Sequence, residues 1–213
     1  MTQKFIPSEH LFSDTADTYA LITAAGLSSR MKQFKPLLPF RNGSLIESTI
    51  QNFLNAEILN LIVVVGHKKE QLIPVLKPYP VKLVINEAYA SSDMFTSVKL
   101  GLNALPPSAK YVFLCPGDIP LISPDTIRSL DLTIKRNPAL SCLIPSIHHR
   151  KGHPPVFSRN AIEILKNYNG DYGVKGAMQL FSNTTQYLEV SDEGILKDVD
   201  KPCDYQELKI IEF

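Results

Sequence analysis

A chain of 213 residues, 44% hydrophobic and 20% charged, has the make-up of one globular domain rather than of a disordered or membrane-spanning chain. Its 22 basic and 21 acidic side chains leave a formal net charge of +1, so no overall field draws in nucleic acid or an anionic membrane, and any anion must be bound locally. Cys115, Cys142 and Cys203 form no CxxC pair and are odd in number, which argues against a zinc site or disulfide framework and for reduced thiols in a cytoplasmic protein.

In chain order, residues 1–18 read as an arm outside the core and residues 19–213 as the domain. The opening segment "MTQKFIPSEHLFSDTADTY" lacks the apolar stretch of a signal peptide, and no segment approaches the roughly 20 apolar residues of a membrane span. Short apolar, β-branched runs predict buried strands at "YALITAA", "LIVVV", "VKLVI", "YVFLC", "SCLIPSI" and "TQYLEV". Helical patterns lie between them. In "GSLIESTIQNFLNAEI", Ser44 can accept from the Glu47 amide while Glu47 reaches back, and Ile46, Ile50, Phe53 and Leu54 share one face. Others are "KKEQLIPVLK", limited by Pro74, "DMFTSVKLGLNAL", "SPDTIRSLDLTIKR" with Ser123 as cap and Pro124 in the first turn, and "SRNAIEILKNY". This alternation predicts an α/β fold: a single-domain, doubly wound (Rossmann-like), mainly parallel sheet with helices on both faces and ligands at the strands' carboxyl ends.

The loop after the first strand, "GLSSRMKQFKPLL", is the first candidate site. Gly26 lets the backbone approach a ligand, Ser28 and Ser29 supply hydroxyls and amides, and Arg30, Lys32 and Lys35 add positive charge suited to polyphosphate. There is no GxGxxG, and GxxxxGK[ST] fails after Gly26, so neither the Rossmann dinucleotide loop nor the Walker loop is present. A solvated basic loop is the competing reading, and spacing alone leaves both open.

The run "YVFLCPGDIPLIS" places Asp118 beyond a buried strand, at the same sheet edge. A carboxylate beside polyphosphate is repelled unless it holds Mg²⁺; otherwise Asp118 caps a turn shaped by Gly117 and Pro120. In "LKDVDKPCDYQEL", Asp198 and Asp200 alternate and face one way if extended, or are two solvated acids before a proline-started helix. The segment "HHRKGHPPVFSR" is rigid and locally basic, suited to an anionic acceptor; His148, His149 and His153 lack a thiol or acid at zinc spacing. His67 reads as an ordinary residue at a strand end.

These segments carry a resemblance. "LITAAGLSSRMKQFKPLL" resembles the LAAGxSxRMGxxK signature of MobA-like nucleotidyltransferases, the group that includes molybdenum cofactor cytidylyltransferases. The resemblance implies a fold of the nucleotide-diphospho-sugar transferase type and a loop that wraps an NTP triphosphate through Ala24, Ala25, Gly26, Ser28, Arg30 and Lys35. Lys32 stands where the family usually has glycine. "GDIPLIS" resembles the GDxPL segment, which implies that Asp118 binds Mg²⁺, and "DVDKPCDY" is similar to DIDTPEDY, which adds Asp200 and then Asp198 as metal ligands.

On the acceptor side, "KGHPPVF" resembles RGHPVLF and points to His153, while "NGDYGVKGAM" resembles GDxGxR and points to Asp171 and to Lys175 in the arginine's place. Glycines in that last segment fit a plain helix entry equally well. "NEAYASSDMFTSVKLGL" resembles NPxWxxGMxxSL, which implies Ser92 and Ser97 near the base or acceptor, with Asp93 in place of a common glycine. The motifs keep the family's order from about Tyr19 to the C-terminus. By this resemblance the chain is a Mg²⁺-dependent enzyme in which Arg30, Lys35 and Asp118 are catalytic and an acceptor phosphate attacks an NTP. The "AAG" form implies CTP as donor, and the resemblance as a whole implies the molybdenum cofactor as acceptor and a molybdenum hydroxylase as protein partner. The alternatives are a sugar, polyol or choline phosphate nucleotidyltransferase, or a non-catalytic module that binds nucleotide and carries the cofactor.

Overall fold

The six apolar runs form strands because each is short, β-branched and able to bury both faces. In the computed structural model, which describes residues 17–31 and 33–211, the chain runs β1 (Thr18–Ala24), β2 (Pro39–Phe40), β3 (Gly43–Ser44), α1 (Leu45–Asn55), β4 (Leu61–Val65), α2 (Lys69–Leu76), β5 (Val81–Ile85), α3 (Met94–Asn103), β6 (Tyr111–Pro116), α4 (Pro124–Arg136), β7 (Cys142–Ile147), β8 (Arg150–Lys151), β9 (Val156–Ser158), α5 (Arg159–Asn167), α6 (Gly173–Gln179), β10 (Thr185–Glu189) and α7 (Pro202–Ile211). The expected arm lies outside the described residues as far as residue 16, and so does Lys32. Thr18 opens β1, and the Asp17 carbonyl accepts from the Lys110 and Tyr111 amides at 2.8 Å each, so the sheet holds the chain one residue earlier than the sequence suggested.

The main sheet has the order β10-β7-β9-β6-β1-β4-β5, with β8 paired to β7. β1, β4, β5 and β6 are mutually parallel neighbours, as are β7 and β10, whereas β9 runs antiparallel between β6 and β7. The chain passes from β1 to β4 and β5 on one side, then returns to β6 on the other. The topological switch therefore lies between β1 and β6, where a parallel sheet opens a crevice at its carboxyl edge.

Alternation of side chains sets the two layers. Ala20, Ile22 and Ala24 of β1 pack with Ile46, Ile50 and Phe53 of α1, Leu72 of α2, and Ile127 and Leu130 of α4. Tyr19 and Leu21 pack the other way, with Val98 and Leu102 of α3, Ile162 and Leu165 of α5, and Ala177 of α6. Gly101 permits the close approach of α3, since a Cβ there would lie 2.1 Å from the Leu21 side chain. Among the described residues no helix is long and apolar enough to cross a membrane.

Local expectations mostly hold, with two differences in detail. Ser123 caps α4 through the Asp125 amide at 3.2 Å, with Pro124 in the first turn. Ser44, however, forms no reciprocal backbone box: its hydroxyl donates to Glu47 Oε2 at 2.6 Å, and the Tyr79 hydroxyl donates to the other carboxylate oxygen at 3.1 Å. Pro74 lies inside α2, which ends two residues later. The His67 ring meets those of Phe34 and Tyr89 at 5.8 and 5.6 Å.

Candidate active site

Because β1 and β6 are adjacent and parallel, with Thr23 opposite Pro116, the loops that follow them leave the sheet side by side. The Gly117 amide donates to the Thr23 carbonyl at 3.0 Å and carries that pairing one step beyond the strands. A cleft of about 490 Å³ opens there, lined among others by Ala24, Ala25, Gly26, Ser28, Arg30, Lys35, Ser92, Ser97, Asp118 and Asp200, within the size range of small-molecule sites. A Cβ on Gly26 would meet nothing within 4 Å. The space its missing side chain leaves belongs to the cleft.

The loop holds its shape through its own backbone. Ser28 takes a left-handed conformation with φ of 53°, its carbonyl accepts from the Met31 amide at 3.0 Å, and its Oγ accepts from the Lys35 amide at 3.2 Å. Lys35 begins a 3-10 turn, Lys35–Leu37. From there its side chain reaches across the crevice, and Nζ donates to Asp118 Oδ2 at 2.6 Å and to Asp200 Oδ1 at 2.9 Å. Arg30 donates to the remaining Asp200 oxygen, Oδ2, at 2.6 Å.

Asp200 arrives from the far end of the chain. The Val199 amide donates to the Asp118 carbonyl at 3.2 Å, while the Asp204 carboxylate accepts from the Asp200 and Lys201 amides at 2.9 and 2.7 Å and starts α7. Val199, Tyr205 and Leu208 then bury against Met31, Leu38, Phe40 and Leu45 in a third apolar cluster.

The electrostatics follow burial and pairing. Burial pulls the Lys35 ammonium down, but the Asp118 and Asp200 carboxylates outweigh it and hold Lys35 above its usual 10.5. Burial raises the Asp118 carboxyl above 3.8, against the pull of Lys35 and with some help from Asp198. The hydrogen bond from Lys35 holds the more open Asp200 below 3.8, with Arg30 adding to it. The ammonium thus gains from two acids, whereas Asp118 bears most of the desolvation.

Near the β5–α3 connection, Asn86 donates from Nδ2 to Ser92 Oγ at 3.1 Å and to Ser97 Oγ at 2.9 Å, and its Oδ1 accepts from the Ala88 amide at 3.0 Å. This buried asparagine orients both serines and was missed, although it begins the quoted segment. Tyr89, Pro36 and Met94 also line the cleft without having been singled out. Asp93, unusual where glycine is common, is the N-cap of α3: its carboxylate accepts from the Thr96 amide and hydroxyl at 2.8 and 2.7 Å.

Four expected residues do not line this cleft. Asp198 is exposed and borders another hollow with Asp204 and Glu207, while Val199 between the two acids is buried and Asp200 lines the cleft. Its charge still acts on both Asp118 and His153. His153 is outside the cleft lining: its amide donates to the Ile195 carbonyl at 2.8 Å, its Nδ1 is buried with no hydrogen-bond partner, and burial holds its imidazole below 6.5 against the pull of Asp198 and Asp118. Asp171 and Lys175 are exposed at the start of α6, on the outer layer.

Among the described residues no group of three or more His, Cys, Asp or Glu side chains is placed to hold a metal. The carboxylates of Asp118 and Asp200, which share one nitrogen, fit a hard divalent cation that takes its other ligands from phosphate and water. Cys115 is buried, and burial followed by the Asp118 charge pushes its thiol well above 9.0, so it offers no thiolate here.

The sequence matches the family model of the MobA-like NTP transferase domain over residues 20–189. It is similar to the molybdenum cofactor cytidylyltransferase of Escherichia coli, 27% identical over 186 residues that cover 87% of this chain and 92% of that one. It is also similar to a 2-C-methyl-D-erythritol 4-phosphate cytidylyltransferase of Prochlorococcus marinus, 32% identical over 126 residues, 57% of this chain and 56% of that one. Among solved structures, Rv0371c of Mycobacterium tuberculosis matches with a TM-score of 0.77 at 27% identity, covering 91% of this chain and 98% of that one. A manganese complex of Rv0371c matches with a TM-score of 0.73 at 25% identity, covering the same shares of both chains.

Proposed function

Because this chain belongs to the family of the MobA-like NTP transferase domain, we propose that it is a Mg²⁺-dependent nucleotidyltransferase that moves CMP from CTP onto the phosphate of the molybdenum cofactor and releases pyrophosphate. The observation that carries the reading is the junction of Lys35 with Asp118 and Asp200 in a cleft that Gly26 and Ser28 also line. The cytidylyl group, and with it CTP as donor, and the molybdenum cofactor are taken from the similar Escherichia coli enzyme, whose name gives cytidylyl transfer and that cofactor.

In this reading the triphosphate lies along Ala24, Ala25, Gly26 and Ser28, where the absent Gly26 side chain leaves room for phosphate against the backbone. Arg30 and Lys35 neutralise phosphate charge, and Ser92 and Ser97, aligned by Asn86, meet the base or the acceptor. Asp118 and Asp200 would hold the Mg²⁺, with the Asp198 charge acting on Asp118. Bound there, the ion supplies charge cancellation and alignment of the α-phosphate. His153, with Asp171 and Lys175 further out, belongs to the acceptor side.

An oxygen of the acceptor phosphate attacks the α-phosphorus, the new P–O bond forms as the bond to the β-phosphate oxygen breaks, and pyrophosphate carries away the charge. Such a transfer asks the protein for in-line positioning and for charge neutralisation as the leaving group departs. No protein nucleophile is required, and the cleft offers cations and carboxylates instead.

Pyrophosphate release by the purified chain, with Mg²⁺ and molybdenum cofactor and with CTP, GTP, ATP or UTP offered singly, tests this. Release with CTP alone is expected. Release only when a sugar, polyol or choline phosphate replaces the cofactor would reassign the acceptor. Nucleotide binding without release for any acceptor, indifferent to loss of Asp118, would make the chain a carrier module.

A further inference from the structure

Lys35 has two claims on its ammonium. In the structure Nζ lies between the acids, 2.6 Å from Asp118 Oδ2 and 2.9 Å from Asp200 Oδ1, and the Lys35 and Asp118 side chains are only 17% and 14% exposed. In the proposed reaction the same carboxylates bind the divalent ion and the same ammonium binds phosphate. The nitrogen engages one oxygen of each carboxylate, so an ion held by the same two acids would compete with it.

We propose that Lys35 is an exchangeable internal counter-ion: it holds Asp118 and Asp200 together until a triphosphate takes its ammonium, and only then yields the carboxylates to the divalent ion. The inference rests on Asp118 and Asp200 being the ion's ligands. Its consequence is positive coupling. The ion alone must displace a largely buried, charge-assisted pair and leave the lysine without a counter-charge, whereas arriving triphosphate gives the lysine a new partner and frees the acids in one exchange.

The local geometry suits such a movement. The Lys35 amide is pinned to Ser28 Oγ at 3.2 Å, and Pro36 stiffens the next residue, so the backbone stays in place while the flexible four-carbon stem swings. Asp200 keeps Arg30 at 2.6 Å when Lys35 leaves, so the exchange is felt mainly at the more deeply buried Asp118.

The test is binding of Mn²⁺ alone, without nucleotide, followed by loss of the free-ion electron paramagnetic resonance signal. The proteins are wild type, Lys35→Met, Lys35→Gln, Lys35→Arg and Asp118→Asn, each checked for folding by circular dichroism. Removing the competing ammonium in either neutral variant is expected to tighten Mn²⁺ binding by about tenfold or more, while Lys35→Arg stays near wild type and Asp118→Asn loses binding. Using both Met and Gln keeps the comparison open if one of them folds poorly. Neutral variants that bind Mn²⁺ no more tightly than wild type, with Asp118→Asn still losing binding, would overturn the exchange and leave the ligand assignment standing. Wild-type Mn²⁺ binding in Asp118→Asn would remove the ligand assignment and the inference with it.

Discussion

The amide of Val199 donates to the carbonyl of Asp118 at 3.2 Å, and this bond fastens the C-terminal segment of the chain to the loop beyond β6. Its neighbours reinforce it: the Tyr205 hydroxyl donates to the Pro39 carbonyl at 2.6 Å, and Leu208 buries beside Phe40 and Leu45. Asp200 meets Lys35 and Arg30 because α7 is docked against the residues that follow the Gly26 loop. The last helix is therefore part of the site's frame.

Asp118→Asn is expected to lower pyrophosphate release by on the order of 10²–10³-fold or more, the scale of losing an electrostatic group in a transfer site. Stability should move by only about 1 kcal/mol in either direction: burial penalises the charged form of Asp118, and Lys35 keeps Asp200 at 2.9 Å. Turnover assays beside urea unfolding separate the two effects. Near-normal turnover in the variant would sink the assignment.

Two glycines predict opposite phenotypes. At Gly26 a methyl group enters the cleft and meets no protein atom within 4 Å, so Gly26→Ala should weaken CTP binding by about tenfold and leave unfolding unchanged or up to about 1 kcal/mol harder. At Gly101 the methyl group falls 2.1 Å from Leu21, so Gly101→Ala should cost about 1–3 kcal/mol by overpacking with CTP affinity retained. Calorimetric titration and denaturant unfolding of both variants check the contrast, and equal effects on CTP affinity would refute it.

Asp93 is a helix cap, and its replacement should read as one. Asp93→Ala is expected to cost about 1 kcal/mol, whereas Asp93→Gly, which restores the residue common in the family, should cost only a few tenths. Denaturant midpoints decide it. If the two variants are equally destabilised, the bond from the Thr96 amide to Asp93 at 2.8 Å is not what matters.

Glu189, at the end of β10, accepts from the Ser146 hydroxyl at 2.8 Å and the His148 amide at 2.6 Å, and these bonds hold its carboxyl below 4.5. With a depressed folded pKa, the stability it contributes is complete above the ordinary value of 4.5 and is lost as pH falls through the lower folded value. Urea unfolding across pH should therefore show Glu189→Gln less stable than wild type near neutrality, with the gap closing in acid. A gap that stays constant with pH would contradict this.

Much of the layout was legible in local patterns. Runs such as "LIVVV" and "YVFLC" are too short and too β-branched for helices, and "SPDTIRSLDLTIKR" carries its own cap and first-turn proline. β9 escaped notice because its three residues follow two prolines and show no alternation. Asn86 escaped because a strand-end asparagine has no periodic signature; only its bonds to Ser92 and Ser97 reveal what it does.

By itself the sequence determined which of the longer segments become strands and helices, that the loop at Gly26 is basic and open-backboned, and that Asp118 follows a buried strand. These are short-range properties, set by side-chain period, caps and turn residues within a few positions. Tertiary structure alone decided that β6 lies beside β1, that Lys35 spans Asp118 and Asp200, and that Asp198 turns away while Asp200 turns in. Those outcomes depend on strand order and on the docking of α7, in which residues far apart in the chain compete for the same space, and no local period encodes the winner.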